Sequence, residues 1–329
     1  MGVMIDGRWT SDEEASKLAY EDGRFERSPS VIRHWVTSTG EPGPTGDGGF
    51  QAEPGRYHLF VAYGCPWAHR TLIFRTLKGL KQQISVSVAE PRRSDQGWVF
   101  AAEAGPFHDD LLGVQALWEV YAAGHPSYTG RVTVPLLYDK STGRAVNNES
   151  ADIIRMLNSA FDECGAESTD YYPAELRDEI DALNERIYQT LNNGVYRAGF
   201  ARNQEAYEEA FDEVFATLDF LDARLATQRY LCGNRQTEAD WRLFPTLVRF
   251  DVAYHYAFKC NLRRLIDYEH LWPYARDLYQ TPGIADDVHL DLYKYGYFSI
   301  SELRNPLGIV PKGPSVDFSL PHQRAALAA

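Results

Sequence analysis

The chain reads as two domains, an α/β domain first and an all-helical domain after it, and three observations say so. Its 329 residues exceed what a single core of ordinary size organises. Between residues 56 and 165, short apolar runs of strand length alternate with one stretch of helical period. From residue 172 the pattern lengthens into amphipathic helices with charges between the apolar positions.

Residues 1–55 are rich in Gly, Pro, Ser and Asp, most of all in "TSTGEPGPTGDGGFQAEPG", and predict an irregular lead-in without core residues. "RYHLFVAY" is a β-type run. "PWAHRTLIFRTLKGL" spaces Trp67, Leu72, Phe74 and Leu77 largely as a helix does and stops at Gly79. "ISVSVAE" is the next strand, and a strand-helix-strand unit makes its two strands parallel. A polar insertion spans about 91–130. Beyond it come "RVTVPLLYD", a turn at "KSTG", the short strand "RAVNN" and a helix opening near Glu149. The order β-α-β, then β-β-α, is that of a thioredoxin-like domain, which we place at 56–165. The helical domain takes 172–298. In it "PAELRDEIDALNERIYQTLNNGVYRAGF" and "NQEAYEEAFDEVFATLDFLDARLATQ" carry apolar residues at three- and four-residue spacing, and Thr237 stands three residues ahead of Asp240, close to a capping box. Residues 299–329, with "NPLGIVPKGPSVDF", predict an irregular tail.

A net charge of -13 leaves no excess of Lys and Arg to neutralise phosphates, which excludes nucleic acid and anionic membranes as partners. No apolar run approaches the roughly 18 residues of a membrane span. The opening "MGVMIDGRWTSDEEASK" is acidic where a secretory signal is basic and apolar, so a cytoplasmic protein is expected. Cys65, Cys164, Cys232 and Cys260 show no metal-ligand spacing, so no metal is expected, and a reducing compartment keeps them as thiols.

Cys65 is the residue that points to chemistry. Pro66 suits a first helical position because its missing N–H is not needed there and its φ is preset. That puts Cys65 at the N-cap, where the helix amides and dipole lower a thiol pKa from about 8.5 to between about 4 and 7. Ala68 stands where a disulfide oxidoreductase has its second cysteine, so a sulfur attached to Cys65 must be released by a thiol from solution. Two further features fit a peptide-like thiol. Pro135 opens a strand in a thioredoxin-like domain, where a cis Val134–Pro135 bond exposes the backbone of Val134. Glu149 and Ser150 stand at a helix start, whose amides, hydroxyl and dipole suit a carboxylate. Together these fit a γ-glutamyl tripeptide.

With these residues in view, the chain resembles the glutathione transferase superfamily, and more narrowly the glutathionyl-hydroquinone reductases of the omega-like Xi class. The likeness runs from about Gly23 onward and is carried by "YGCPWAHRTLIFRTLKGL", "GRVTVPLLYDKSTGRAVNNESADIIRMLN", "NNGVYRAGFA", "YLCGNRQTEADWRLFPTLVRFD", "FKCNLRR" and "NPLGIVPKGP". It implies a thioredoxin-like N-terminal domain, an all-α glutathione-transferase C-terminal domain and a homodimer. It also implies glutathione as co-substrate and removal of glutathione from S-glutathionyl hydroquinones. By the same resemblance Cys65 is the nucleophile, and Trp98, Arg131, Val134, Glu149 and Ser150 bind glutathione. Tyr196 and Tyr297 face the aromatic substrate. Tyr295 and Phe298 flank Gly296–Tyr297 where family members show a basic residue before Gly-Tyr-Tyr, which bears on substrate preference. Two other readings compete: an omega-like thioltransferase or dehydroascorbate reductase, and a non-catalytic binding protein of the same fold.

Overall fold

The computed structural model describes residues 2–10, 20–301 and 304–328. It divides into two compact units, one of Met1–Ala19 and Arg27–Thr169, the other of Tyr20–Glu26 and Asp170–Ala329.

The first unit is built on a four-stranded sheet in the order β6-β5-β8-β9. β5 (Tyr57–Val61) is buried along its whole length, so its apolar run is continuous rather than alternating. Helix α1 (Pro66–Leu77) leads from it to β6 (Ser85–Val88), which pairs with it in parallel. β8 (Leu136–Asp139) runs antiparallel to β5, and β9 (Arg144–Asn147) antiparallel to β8. Helix α3 (Ser150–Ser159) follows and packs on α1. The strand order and directions are those expected of a thioredoxin-like domain.

Two expectations for this part of the chain fail. The lead-in is not without core: Val3, Met4, Phe25, Ile32, Val36, Phe50 and Ala52 are buried. β1 (Val3–Ile5) pairs with β2 (Arg8–Thr10) and with β7 (Gly130–Arg131), all antiparallel. The segment near residue 33 runs beside β9, with His34 N–H donating to Val146 O (2.9 Å) and Asn148 N–H to Ile32 O (3.1 Å). Short pairings spaced by turns satisfy the backbone there without leaving a strand-length apolar run. The portion of the lead-in at 11–19 lies outside the described residues. The insertion at 91–130 is likewise not polar throughout. It carries helix α2 (Leu117–Gly124), whose Leu117, Val120 and Tyr121 are buried.

The second unit is helical, with one hairpin added by the early chain. β3 (Tyr20–Glu21) and β4 (Arg24–Phe25) pair antiparallel, and the Phe25 ring meets that of Phe200 edge-on at 5.1 Å. The long helix read over 173–200 is broken: α4 (Arg177–Ile187) passes into a π turn at Tyr188–Asn192 and then α5 (Gly194–Phe200). α6 (Gln204–Leu225) is followed by α7 (Glu238–Arg249), which enters a second π turn at Phe250–Tyr254. α8 (Leu271–Tyr279) and α9 (Leu290–Tyr297) complete the unit. The start of α7 has the anticipated reciprocal cap. The buried Asp240 carboxylate accepts from Thr237 N–H (2.7 Å) and hydroxyl (3.0 Å), and also from Leu231 N–H (2.8 Å) and the Tyr274 hydroxyl (2.7 Å). The tail is irregular over most of its length, yet Phe318 is buried against Trp272 (4.9 Å).

Candidate active site

In the first unit the chain turns tightly after β5, with Cys65 N–H donating to Ala62 O at 3.0 Å. Cys65 is the N-cap of α1, extended at φ -82° and ψ 119°, and Pro66 is the first helical residue. The thiol is half-buried and donates to the carbonyl of Val134 at 3.4 Å. The Val134–Pro135 bond is cis. No other cysteine shares this setting. Burial pushes the thiols of Cys232 and Cys260 up to about 12, and burial with the charges of Glu163 and Glu53 raises that of Cys164.

Glu149 caps α3, its carboxylate accepting from Ala151 N–H at 3.1 Å and from the Ser30 hydroxyl at 2.9 Å. Ser150, the first residue of the helix, is buried with its hydroxyl 3.5 Å from the same carboxylate. Arg131 lies in β7, where its carbonyl accepts from the Tyr128 hydroxyl at 2.8 Å. Trp98 is half-buried, with the Arg93 guanidinium 5.5 Å from its ring centre. The Trp98 carbonyl accepts from Leu117 N–H at the start of α2.

Sequence reasoning missed what joins these parts. The Tyr121 hydroxyl, on α2, donates to Thr133 O at 2.8 Å and accepts from Asn148 Nδ2 at 3.2 Å. One buried hydroxyl thus ties the residue before Val134 to the residue before Glu149. Its helix lies inside the stretch read as a polar insertion, and a tyrosine in such a stretch gives no signal of its own.

In the second unit Tyr196 of α5 and Tyr297 of α9 come together, their hydroxyls 2.5 Å apart across 101 residues of sequence. A third hydroxyl, that of Tyr254 at the end of the π turn, lies 3.1 Å from Tyr297. Phe258 packs beneath all three, with ring centres 5.3 Å from Tyr196, 5.4 Å from Tyr254 and 5.6 Å from Tyr297. Gly199 allows this closeness, since a Cβ there would fall 2.2 Å from Phe258 Cγ. Burial drives the Tyr254 and Tyr297 hydroxyls well above the ordinary phenol range, so both are protonated at neutral pH. Phe298, by contrast, is buried, and Tyr295 is largely exposed. Among the described residues no group of three His, Cys, Asp or Glu side chains is placed to hold a metal ion.

A cysteine at a helix start beside a cis-proline strand, on a chain that continues into a helical unit, is the arrangement of a glutathione transferase. Comparison with known proteins narrows the class. Residues 64–160 match the model of the glutathione S-transferase N-terminal domain and 204–277 that of the C-terminal domain. Glutathionyl-hydroquinone reductase YqjG of Escherichia coli (strain K12) is 50% identical over 98% of both chains. Glutathionyl-hydroquinone reductase PcpF of Sphingobium chlorophenolicum is 50% identical over 96% of this chain and 97% of its own. The glutathione-bound structure of YqjG superimposes with a TM-score of 0.87 at 52% identity, over 89% of this chain and 96% of that one. A Xi class transferase from Natrialba magadii gives 0.89 at 46% identity, over 100% and 98%. The chain belongs to the glutathionyl-hydroquinone reductases, the Xi class of glutathione transferases.

Proposed function

We propose that this enzyme uses glutathione to remove the glutathionyl group from S-glutathionyl hydroquinones, and that Cys65 is its nucleophile. The observation that carries the reading is the position of Cys65: half-exposed, at a helix start, beside the Val134 carbonyl. The Cys65 thiolate attacks the sulfur of the adduct, forming a disulfide to glutathione. The bond from that sulfur to the ring carbon breaks, and its electron pair stays on the carbon. A proton from the Tyr196 and Tyr297 pair completes the hydroquinone. A second glutathione, as thiolate, attacks the glutathione sulfur of the mixed disulfide and restores Cys65. The ring carbon is reduced, two glutathiones are oxidised to their disulfide, and the proton lost by the second thiol replaces the one given to the ring.

Glutathione presents both an ammonium and a carboxylate at its γ-glutamyl end. The Glu149 carboxylate suits the first, and the start of α3 with Ser150 suits the second. The backbone of Val134, beside the Cys65 thiol, suits the peptide between, and Trp98 and Arg131 complete the binding set. Tyrosine offers the aromatic ring a face to stack on and a hydroxyl to donate. We further propose that the enzyme works as a homodimer in the cytoplasm. No helix of the described residues is long and apolar enough to cross a membrane, and sedimentation at micromolar concentration tests the dimer.

The test of the activity compares a glutathionyl-hydroquinone, a glutathione mixed disulfide and dehydroascorbate as substrates. Fast release of hydroquinone supports the proposal. Turnover of the other two alone would make the enzyme an omega-like thioltransferase or dehydroascorbate reductase. No turnover of any would make it a binding protein.

A further inference from the structure

Arg249 and Tyr254 belong to no role assigned so far, yet both are fully buried beside the paired tyrosines. Arg249 ends α7 and Tyr254 ends the π turn that follows, so one wide turn of backbone separates them. Arg249 Nη1 donates to Pro245 O at 2.9 Å, and its guanidinium lies 3.8 Å from the ring centre of Tyr293. Tyr293 is one helical turn before Tyr297 on α9, which places the cation under the helix that carries the reacting hydroxyl. The Tyr254 hydroxyl, 3.1 Å from that of Tyr297, extends the 2.5 Å pair into a chain of three.

We propose that Tyr254 and Arg249 are positioning residues for proton delivery to the ring carbon, acting through Tyr297 and Tyr196 without touching substrate. The inference rests on the reductase reading above. When the Tyr196 and Tyr297 pair gives its proton to the carbon left by sulfur, one negative charge remains on the two oxygens. The Tyr254 hydroxyl then donates to Tyr297 and spreads that charge, and the buried Arg249 cation offsets it. The electrostatics agree: the charge of Arg249 lowers the pKa of Tyr254 and of Tyr297, opposing the burial that raises them. The charge lasts until the proton released by the second glutathione returns to the pair. A disulfide substrate leaves as a thiolate and needs no proton at carbon, so this apparatus is idle in disulfide exchange.

The experiment follows from that difference. Steady-state kinetics of Tyr254→Phe and Arg249→Gln are measured on a glutathionyl-hydroquinone and on a glutathione mixed disulfide. Tyr254→Phe keeps the ring and removes one oxygen, so it remains testable should the arginine variant fail to fold. The expected result is a kcat for hydroquinone release reduced about tenfold or more in each variant, as for loss of a hydrogen bond or cation at a developing charge, with KM unchanged and disulfide turnover intact. Three outcomes overturn the proposal: equal loss on both substrates in Tyr254→Phe, which marks a structural role; a change confined to KM, which marks substrate binding; or no change in hydroquinone release. If the unmodified enzyme reduces the disulfide but not the glutathionyl-hydroquinone, the reductase reading itself fails and takes this inference with it.

Discussion

Cys65 differs from Cys232 and Cys260 in access and from all three other cysteines in surroundings, and both decide reactivity. At neutral pH a thiol with a pKa pushed up to about 12, as at Cys232 and Cys260, is ionised to roughly one part in a hundred thousand. Iodoacetamide applied to the folded protein near neutrality should therefore label Cys65 first and leave Cys232 and Cys260 unlabelled, as peptide mass mapping will show. His58 supplies a second test. It is buried, its ring nitrogens sit 2.7 Å from the Ser85 hydroxyl and 2.9 Å from that of Ser87, and Ser87 donates to the buried Asp109. Burial lowers its pKa to about 4, so the unfolded chain takes up a proton as pH falls below about 6.5 while the native imidazole stays neutral. Stability present above 6.5 is lost between 6.5 and 4. A shift of that size at about 1.4 kcal/mol per pH unit amounts to roughly 3 kcal/mol from this group. Urea unfolding at a series of pH values should show the decline, and His58→Gln should flatten it. At this level the sequence was partly legible. Cys65 at a helix start followed from Pro66 between a strand-like run and a helical one, and the cis bond at Pro135 from the strand it opens in a thioredoxin-like domain. Tyr254 and Arg249 gave no sign, because a buried tyrosine or arginine in an apolar run reads as packing, and Tyr121 gave none because it lies in the polar insertion.

Within each unit, the insertion helix and the π turns carry more of the proposed machinery than their composition suggests. Tyr121 on α2 holds the approaches to both Val134 and Glu149, so Tyr121→Phe should raise KM for glutathione about fivefold, the worth of about one hydrogen bond, with kcat nearly unchanged. In α5, Gly199→Ala would drive a methyl into the Phe258 ring on which all three tyrosines rest. Hydroquinone release should fall at least tenfold with the thiol's reactivity unaltered, a strained backbone or displaced ring costing on the order of 1–3 kcal/mol. Strands and helices with a clean period were read correctly, including β5, β6, α1, α3 and the capped start of α7. The π turns were not, because an extra residue in one turn shifts the apolar stripe without interrupting it. The lead-in was misread because pairings two or three residues long, between glycines, leave no periodic signal.

On the proposed mechanism each unit has a separate task, thiol exchange at Cys65 in the first and protonation of carbon by Tyr196 and Tyr297 in the second. Variants should separate them. Cys65→Ser should abolish turnover of both glutathionyl-hydroquinone and mixed disulfide, whereas Tyr297→Phe should lower only the former, by about a hundredfold, as for loss of a general acid. A parallel loss of both activities in the tyrosine variant would contradict this division. The two-domain plan was plain from the change of texture near residue 170. The meeting of Tyr196 and Tyr297 was not, since nothing local links residues so far apart, and they were singled out by resemblance to a known family.

The most direct test of Cys65 as nucleophile uses a single turnover. Enzyme mixed with excess glutathionyl-hydroquinone and no free glutathione should release one equivalent of hydroquinone and stop, with intact mass and peptide mapping placing a reducible glutathionyl group on Cys65. Hydroquinone appearing only after a second glutathione is added, with Cys65 unmodified until then, would contradict the account.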